Sequence, residues 1–88
     1  MYDIIVVIYM YEPMLDPIAV GQTIHQLRQE KGLSQEVMSG LAGIGRTHLS
    51  AIERGERKPT LETLYRLSIA LEMNMSDVVK RIESTGEQ

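Results

Sequence analysis

Apolar residues follow one pattern near the start of the chain and another over the rest of it. Residues 4–11 (Ile-Ile-Val-Val-Ile-Tyr-Met-Tyr) form an unbroken apolar, β-branched and aromatic run, which at this length favours a β-strand over a helix. From Asp16 onward the apolar positions recur three and four residues apart, as on one face of a helix. Asp16-Pro17 sets an N-cap side chain before a proline at the first helical position. Ile18, Gly21, Ile24, Leu27 and Arg28 follow at helical spacing to about Lys31, where Gly32 ends the helix. Ser34 caps a second helix with Val37, Met38, Leu41 and Ala42 as its inner face, and Gly43 stops it. Gly45 precedes a third, which carries Leu49 and Ile52 and ends at Gly55. Pro59-Thr60 opens a fourth with apolar Leu61, Leu64, Leu67, Ile69, Ala70 and Leu71, and Ser76 caps a fifth with Val78, Val79 and Ile82. The expected architecture is all-α: a compact five-helix domain over residues 16–83, a strand-like extension over residues 1–15 and a polar, fraying tail over residues 84–88.

Composition narrows the class without naming the function. A chain of 88 residues, 43% apolar and 24% charged, is one small domain. It has no cysteine, which excludes a disulfide framework and thiolate metal sites, and makes a reducing cytoplasm the expected setting. The apolar opening is far too short to span a membrane. It has Asp3 in front and Glu12-Pro13 behind where a signal peptide has a basic region and a small-residue cleavage site, so no membrane partner and no secretion are expected. No nucleophile–base pattern, phosphate loop or metal-ligand cluster is visible, and neither His25 nor His48 sits in a metal-binding motif. No enzymatic activity, cofactor or metal is expected.

The formal charge of −3, from nine Lys+Arg against twelve Asp+Glu, argues at first against a nucleic-acid partner. Its distribution reverses that inference. Asp3, Glu12 and Asp16 are the only charged side chains up to residue 16, whereas Arg46, Arg54, Arg57 and Lys58 face only Glu53 and Glu56 over residues 46–58. The remainder of the chain is balanced and holds a locally basic segment.

That segment overlaps a recognisable pair of helices. Two short helices joined through Gly43-Ile44-Gly45 can cross steeply, because glycine permits positive φ in the turn. Ser39 is the small residue at the crossing, and Met38, Ala42, Ile44, Leu49 and Ile52 supply a shared apolar core. This is a helix-turn-helix pattern. The runs Leu33-Ser34-Gln35-Glu36, Leu41-Ala42-Gly43-Ile44, Arg46 to Gly55 (RTHLSAIERG) and Lys58-Pro59-Thr60-Leu61-Glu62-Thr63-Leu64 resemble the phage-repressor, Xre/Cro-like helix-turn-helix family in order and spacing. The resemblance covers about residues 18–82, with a closer likeness to controller proteins of restriction–modification systems; an antitoxin-type partner-binding protein using the N-terminal strand is an equally compatible alternative.

The resemblance implies a regulator that binds double-stranded DNA as a homodimer, with its third helix in the major groove of a short inverted repeat. It assigns Gln35 to phosphate contact and to bracing the recognition helix. A helix N-terminus suits that role independently, since its free N–H groups attract phosphate. Arg46, Thr47 and Ser50 fall on the outward face of the third helix, with Ala51 beside them. Arg46 is the best base reader, because a guanidinium pairs in a bidentate way with guanine. His48 flanks that face as a surface or phosphate-adjacent residue. Arg54, Arg57 and Lys58 are assigned to phosphate positioning, the alternative being an ordinary solvated charge run. The resemblance also pairs Arg28 with Glu53 inside the fold, so that Glu53 does not repel phosphate. Gly40 in mid-helix, Gly45 in place of a serine-like cap and Ala51 in place of a long polar side chain depart from the family pattern.

The extension is not needed by that domain. Its strand would carry Ile4, Val6 and Ile8 into antiparallel pairing with a second copy, or would recruit a different protein by strand addition. The remaining alternative is a leader ahead of a start at Met10 or Met14. For the dimer contact proper, the family points to the fifth helix, where Val78, Val79 and Ile82 form either a self-complementary patch or core.

Overall fold

The computed structural model describes residues 3–5 and 13–86. Among the described residues, five helices follow one another from Pro17 onward: α1 (Pro17–Glu30), α2 (Gln35–Ala42), α3 (Arg46–Glu53), α4 (Leu61–Ala70) and α5 (Met75–Gly86). Their starts follow from local side-chain chemistry. Asp16 accepts from the Ile18 N–H, Ser34 from Val37 and Thr60 from Thr63, each satisfying an amide that the first turn leaves free. Gly45 begins α3 with no side-chain bond.

The turn after α2 closes by two backbone bonds, Gly43 N–H to Gly40 O (3.2 Å) and Ile44 N–H to Ser39 O (3.0 Å). This is a Schellman ending that requires the left-handed residue Gly43 supplies at φ 69°.

Packing follows the pattern only in part. Val20, Ile24 and Leu27 of α1, Met38 and Ala42 of α2, Leu49 and Ile52 of α3, and Leu64, Leu67 and Leu71 around α4 form one buried cluster, completed by Val78 and Ile82 of α5. Val37 and Leu41, expected on an inner face, are more than half exposed, as are the apolar Ile18, Leu61 and Ile69. A two-turn helix turns only a narrow stripe to its neighbours. In α2 that stripe is Met38, Ser39 and Ala42, so Val37 and Leu41 fall on the next ridge around the helix. In α4 the buried side is Thr63, Leu64, Leu67 and Ser68, which turns Leu61 and Ile69 outward.

The two ends of the domain also differ from expectation. Ile4 and Ile5 have helical backbone, and the Ile5 N–H donates to Asp3 Oδ1 (2.9 Å). Asp3 thus offers a local acceptor as a helix cap does, and no strand begins at Ile4. Val6, Ile8 and the rest of the proposed pairing segment over residues 6–12 lie outside the described residues. The last helix runs through Gly86, past the expected tail boundary. Thr85 secures it: its hydroxyl bonds Arg81 O and lies 2.9 Å from the buried Thr23 hydroxyl of α1.

Gly21 sets the distance between α1 and α3. A Cβ added there would lie 2.3 Å from Ile52 O and 2.7 Å from Glu53 O. The two helices meet backbone to backbone at the C-terminal end of α3, and no other residue leaves room for that approach.

Candidate nucleic-acid interface

α3 has two chemically distinct sides. Leu49 and Ile52 are completely buried, while Arg46 and Thr47 are exposed and His48, Ser50 and Ala51 are half-buried. The buried pair anchors the helix and leaves its N-terminal outer face free. Arg28, Ser34, Gln35, Glu36 and Arg46 line one shallow cleft. The open N-terminus of α2 and the first residue of α3 therefore stand side by side. The first amides of α2 have no intrahelical acceptor and carry the positive end of the helix dipole.

The placement of α3 depends on a buried carboxylate. Glu53, whose side chain is 4% exposed, accepts a two-pronged pair from Arg28: Nε to Oε2 at 2.7 Å and Nη2 to Oε1 at 2.9 Å. His25 Nδ1 lies 2.8 Å from Glu53 Oε1 and 3.1 Å from Arg28 Nη2, so its ring joins the same cluster. Gln35 Nε2 donates to the same oxygen at 3.2 Å. Arg28 Nη1 also donates to Leu33 O (2.9 Å), which ties α1 to the turn before α2. Burial pushes the Glu53 carboxyl up, but hydrogen bonds from Arg28, then His25 and Gln35, outweigh it and hold the group below its ordinary value. The hydrogen bond to Glu53 raises the Arg28 guanidinium further into its charged form.

The structure thus brings Arg28, Glu53 and Gln35 together, and adds His25, which the sequence reading left without a partner. A signal for it existed: His25 and Arg28 are three residues apart on one helix and so share a face. Gln35 is engaged in bracing α3, and its amide remains at the rim of the cleft.

The basic loop is less free than its sequence suggests. Arg54 donates to the Ser50 hydroxyl and the Glu56 carboxylate. The Glu56 hydrogen bond raises the Arg54 guanidinium and lowers its own carboxyl in turn. Arg57 and Lys58 are exposed. With Glu53 buried and Glu56 paired, both acidic residues of the segment are compensated by neighbours within the fold.

Two of the three α5 residues expected at a dimer contact are placed elsewhere. Val78 is 0% and Ile82 3% exposed, both within the core of the single chain, and only Val79 reaches the surface at 37%. An amphipathic helix of this length must bury its apolar stripe, and here α1 and α4 receive it. Among the described residues no group of three or more His, Asp or Glu is arranged to hold a metal, and no helix is long and apolar enough to cross a membrane.

Residues 24–78 match the protein family described as Helix-turn-helix. The chain is 41% identical over 66 residues to the HTH-type transcriptional regulator y4dJ of Sinorhizobium fredii, covering 75% of this chain and 86% of that protein. It is 36% identical to the HTH-type transcriptional regulator DdrOP3 of Deinococcus deserti over 76% of its own length, and spans only 52% of that relative. Among solved structures it resembles the restriction-modification controller protein C.AhdI from Aeromonas hydrophila, with a TM-score of 0.70 and 34% identity over 74% of this chain and 98% of that one.

Proposed function

The chain belongs to the helix-turn-helix family of phage-repressor, Xre-like type, and from that premise we propose that it is a sequence-specific DNA-binding transcriptional regulator. It binds an inverted repeat as a homodimer and represses by occluding a promoter. The carrying observation is the two-sided α3. Its inner residues are sealed in the core while Arg46 and Thr47 stand exposed beside the open N-terminus of α2. A helix so presented fits the major groove, and the adjacent N-terminus meets the phosphate backbone. The relatives, named as transcriptional regulators, and the controller-protein likeness support the same reading.

Roles follow from reach. Arg46 reads a guanine edge, and Thr47 offers its hydroxyl or methyl to a neighbouring base. Ser50 reads only when the helix sits deep, and Arg54 must leave Ser50 and Glu56 before it can hold a phosphate. Gln35, His48, Arg57 and Lys58 fix the register through the backbone. Two copies would set their α3 helices about 34 Å apart, one turn of DNA.

Selection from random duplex should recover a palindrome with that spacing. Arg46→Ala should then relax one position in each half-site by about 1–3 kcal/mol. An unchanged consensus would remove Arg46 from the reading set. No binding to any duplex at low salt would sink the DNA reading itself.

A further inference from the structure

Among the charged and titratable members of the Glu53 cluster, His25 is the most open to water. Its side chain is 44% exposed, against 4% for Glu53 and 12% for Arg28. It lines a shallow cleft with Gln22, Gln35, Glu53 and Arg54, so α1, the N-terminus of α2 and the end of α3 meet beside its ring. Nδ1 of that ring has two neighbours of opposite character, the acceptor Glu53 Oε1 at 2.8 Å and the donor Arg28 Nη2 at 3.1 Å. The first contact is a hydrogen bond only when Nδ1 carries a proton, the second only when it does not. A neutral imidazole satisfies either one by its choice of tautomer, whereas the imidazolium can only donate.

We infer that His25 is a positioning residue for DNA binding, whose protonation moves the Gln35 amide from Glu53 to a DNA phosphate. The inference rests on the DNA-binding reading proposed above. It turns on one crowded oxygen. Glu53 Oε1 lies within reach of His25 Nδ1, of Arg28 Nη2 at 2.9 Å and of Gln35 Nε2 at 3.2 Å. A carboxylate oxygen offers about two lone pairs, so three donors compete for it, and Gln35 holds the longest bond. A charged ring bonds a carboxylate more strongly than a neutral one, and charging His25 therefore displaces Gln35 first. Arg28 Nε keeps Glu53 Oε2 at 2.7 Å, so α3 stays braced. Gln35 is the first residue of α2 and lines both this cleft and the one beside Arg46. Its released amide already stands where the free N–H groups of a helix start attract phosphate.

The charges around the ring set the direction of the effect. α3 presents Glu53 and, at its end, Arg54, which is bonded to Glu56. α1 presents Arg28, itself paired with Glu53, and α2 contributes the uncharged Gln35. α5 also packs on α1, and its Arg81 is bonded to Glu30. Glu53, held below the ordinary carboxylate value, stays ionised over the range in which histidines titrate. A DNA phosphate at this edge adds negative charge near the ring and favours its proton. DNA binding and proton uptake at His25 are therefore linked, each strengthening the other.

The test measures the affinity of the full chain for random duplex at low, fixed ionic strength from about pH 5.5 to 8, since a phosphate contact serves any sequence. The chain has two histidines, so every measurement is made in a His48→Gln background and slopes against pH are compared, not absolute affinities. In that background affinity should rise at least about threefold from about pH 8 to 6, with uptake of no more than about one proton per chain. His25→Gln, which keeps a neutral amide at the site, should flatten the profile and leave the helical signal unchanged. Gln35→Ala should flatten it too, with His25 still in place, because the amide that carries the effect is gone. A profile already flat with His25 present, or a slope unchanged by His25→Gln, would overturn the proposal. A slope that survives Gln35→Ala would overturn it as well, by showing that the charge acts on DNA directly. Binding with any of these results leaves the DNA reading standing; no binding to duplex at any pH removes that reading and this inference together.

Discussion

Glu53 receives hydrogen bonds from three side chains while almost wholly excluded from water, so its charge and its partners are interdependent. Glu53→Gln would strand the Arg28 guanidinium, and removing one member of a buried pair costs about 3–5 kcal/mol. Urea unfolding at neutral pH would measure the loss. The pH dependence has a defined sign. The folded-state carboxyl lies below its ordinary value, so its stabilisation is complete above about pH 4.3 and is lost as pH falls through the lower folded value. The wild type should therefore lose stability over that acid window more steeply than Glu53→Gln. Parallel curves would show that the carboxylate contributes nothing to acid unfolding. His25 belongs to the same cluster, and its substitution by Ala should weaken the bracing of α3 without touching any exposed residue of the reading face.

At the scale of helices, two glycines within secondary structure are expected to respond in opposite directions. Gly40 has nothing within 4 Å of an added Cβ, so Gly40→Ala should stabilise α2 by about 1 kcal/mol. Gly21→Ala would drive a methyl into the carbonyls of Ile52 and Glu53, and the strain of forcing helices apart costs about 1–3 kcal/mol. Thermal melts of the two variants should move to opposite sides of the wild type. Both glycines look alike in the sequence, because close approach is a property of the partner helix. The caps at Asp16 and Ser34 and the stops at Gly32, Gly43 and Gly55 were legible because each acts within a few residues of itself. So was the Arg28–Glu53 pair, through family resemblance. The outward turn of Val37, Leu41, Leu61 and Ile69 was not, since a short helix rich in apolar residues does not declare which stripe its neighbours will cover. His25 escaped for a related reason: its partner is twenty-eight residues away.

For the molecule as a whole, a net charge of −3 opposes approach to DNA at long range even though the segment over residues 46–58 is locally basic. Asp3→Asn with Glu12→Gln removes two of the three charges carried before Pro17, and should raise affinity for random duplex at low salt. The gain should vanish once the Debye length shrinks to about 3 Å near 1 M salt. A gain that persisted there would mean a direct contact in place of a long-range field. The division of α3 into a sealed side and an open side has a different consequence, for how such a protein changes over generations. Arg46 and Thr47 are exposed and lie outside the buried cluster that holds the fold, so substitutions there cost less stability than at Leu49 and Ile52. On the proposed reading of α3, new sequence preferences are reachable by single replacements that leave the scaffold standing.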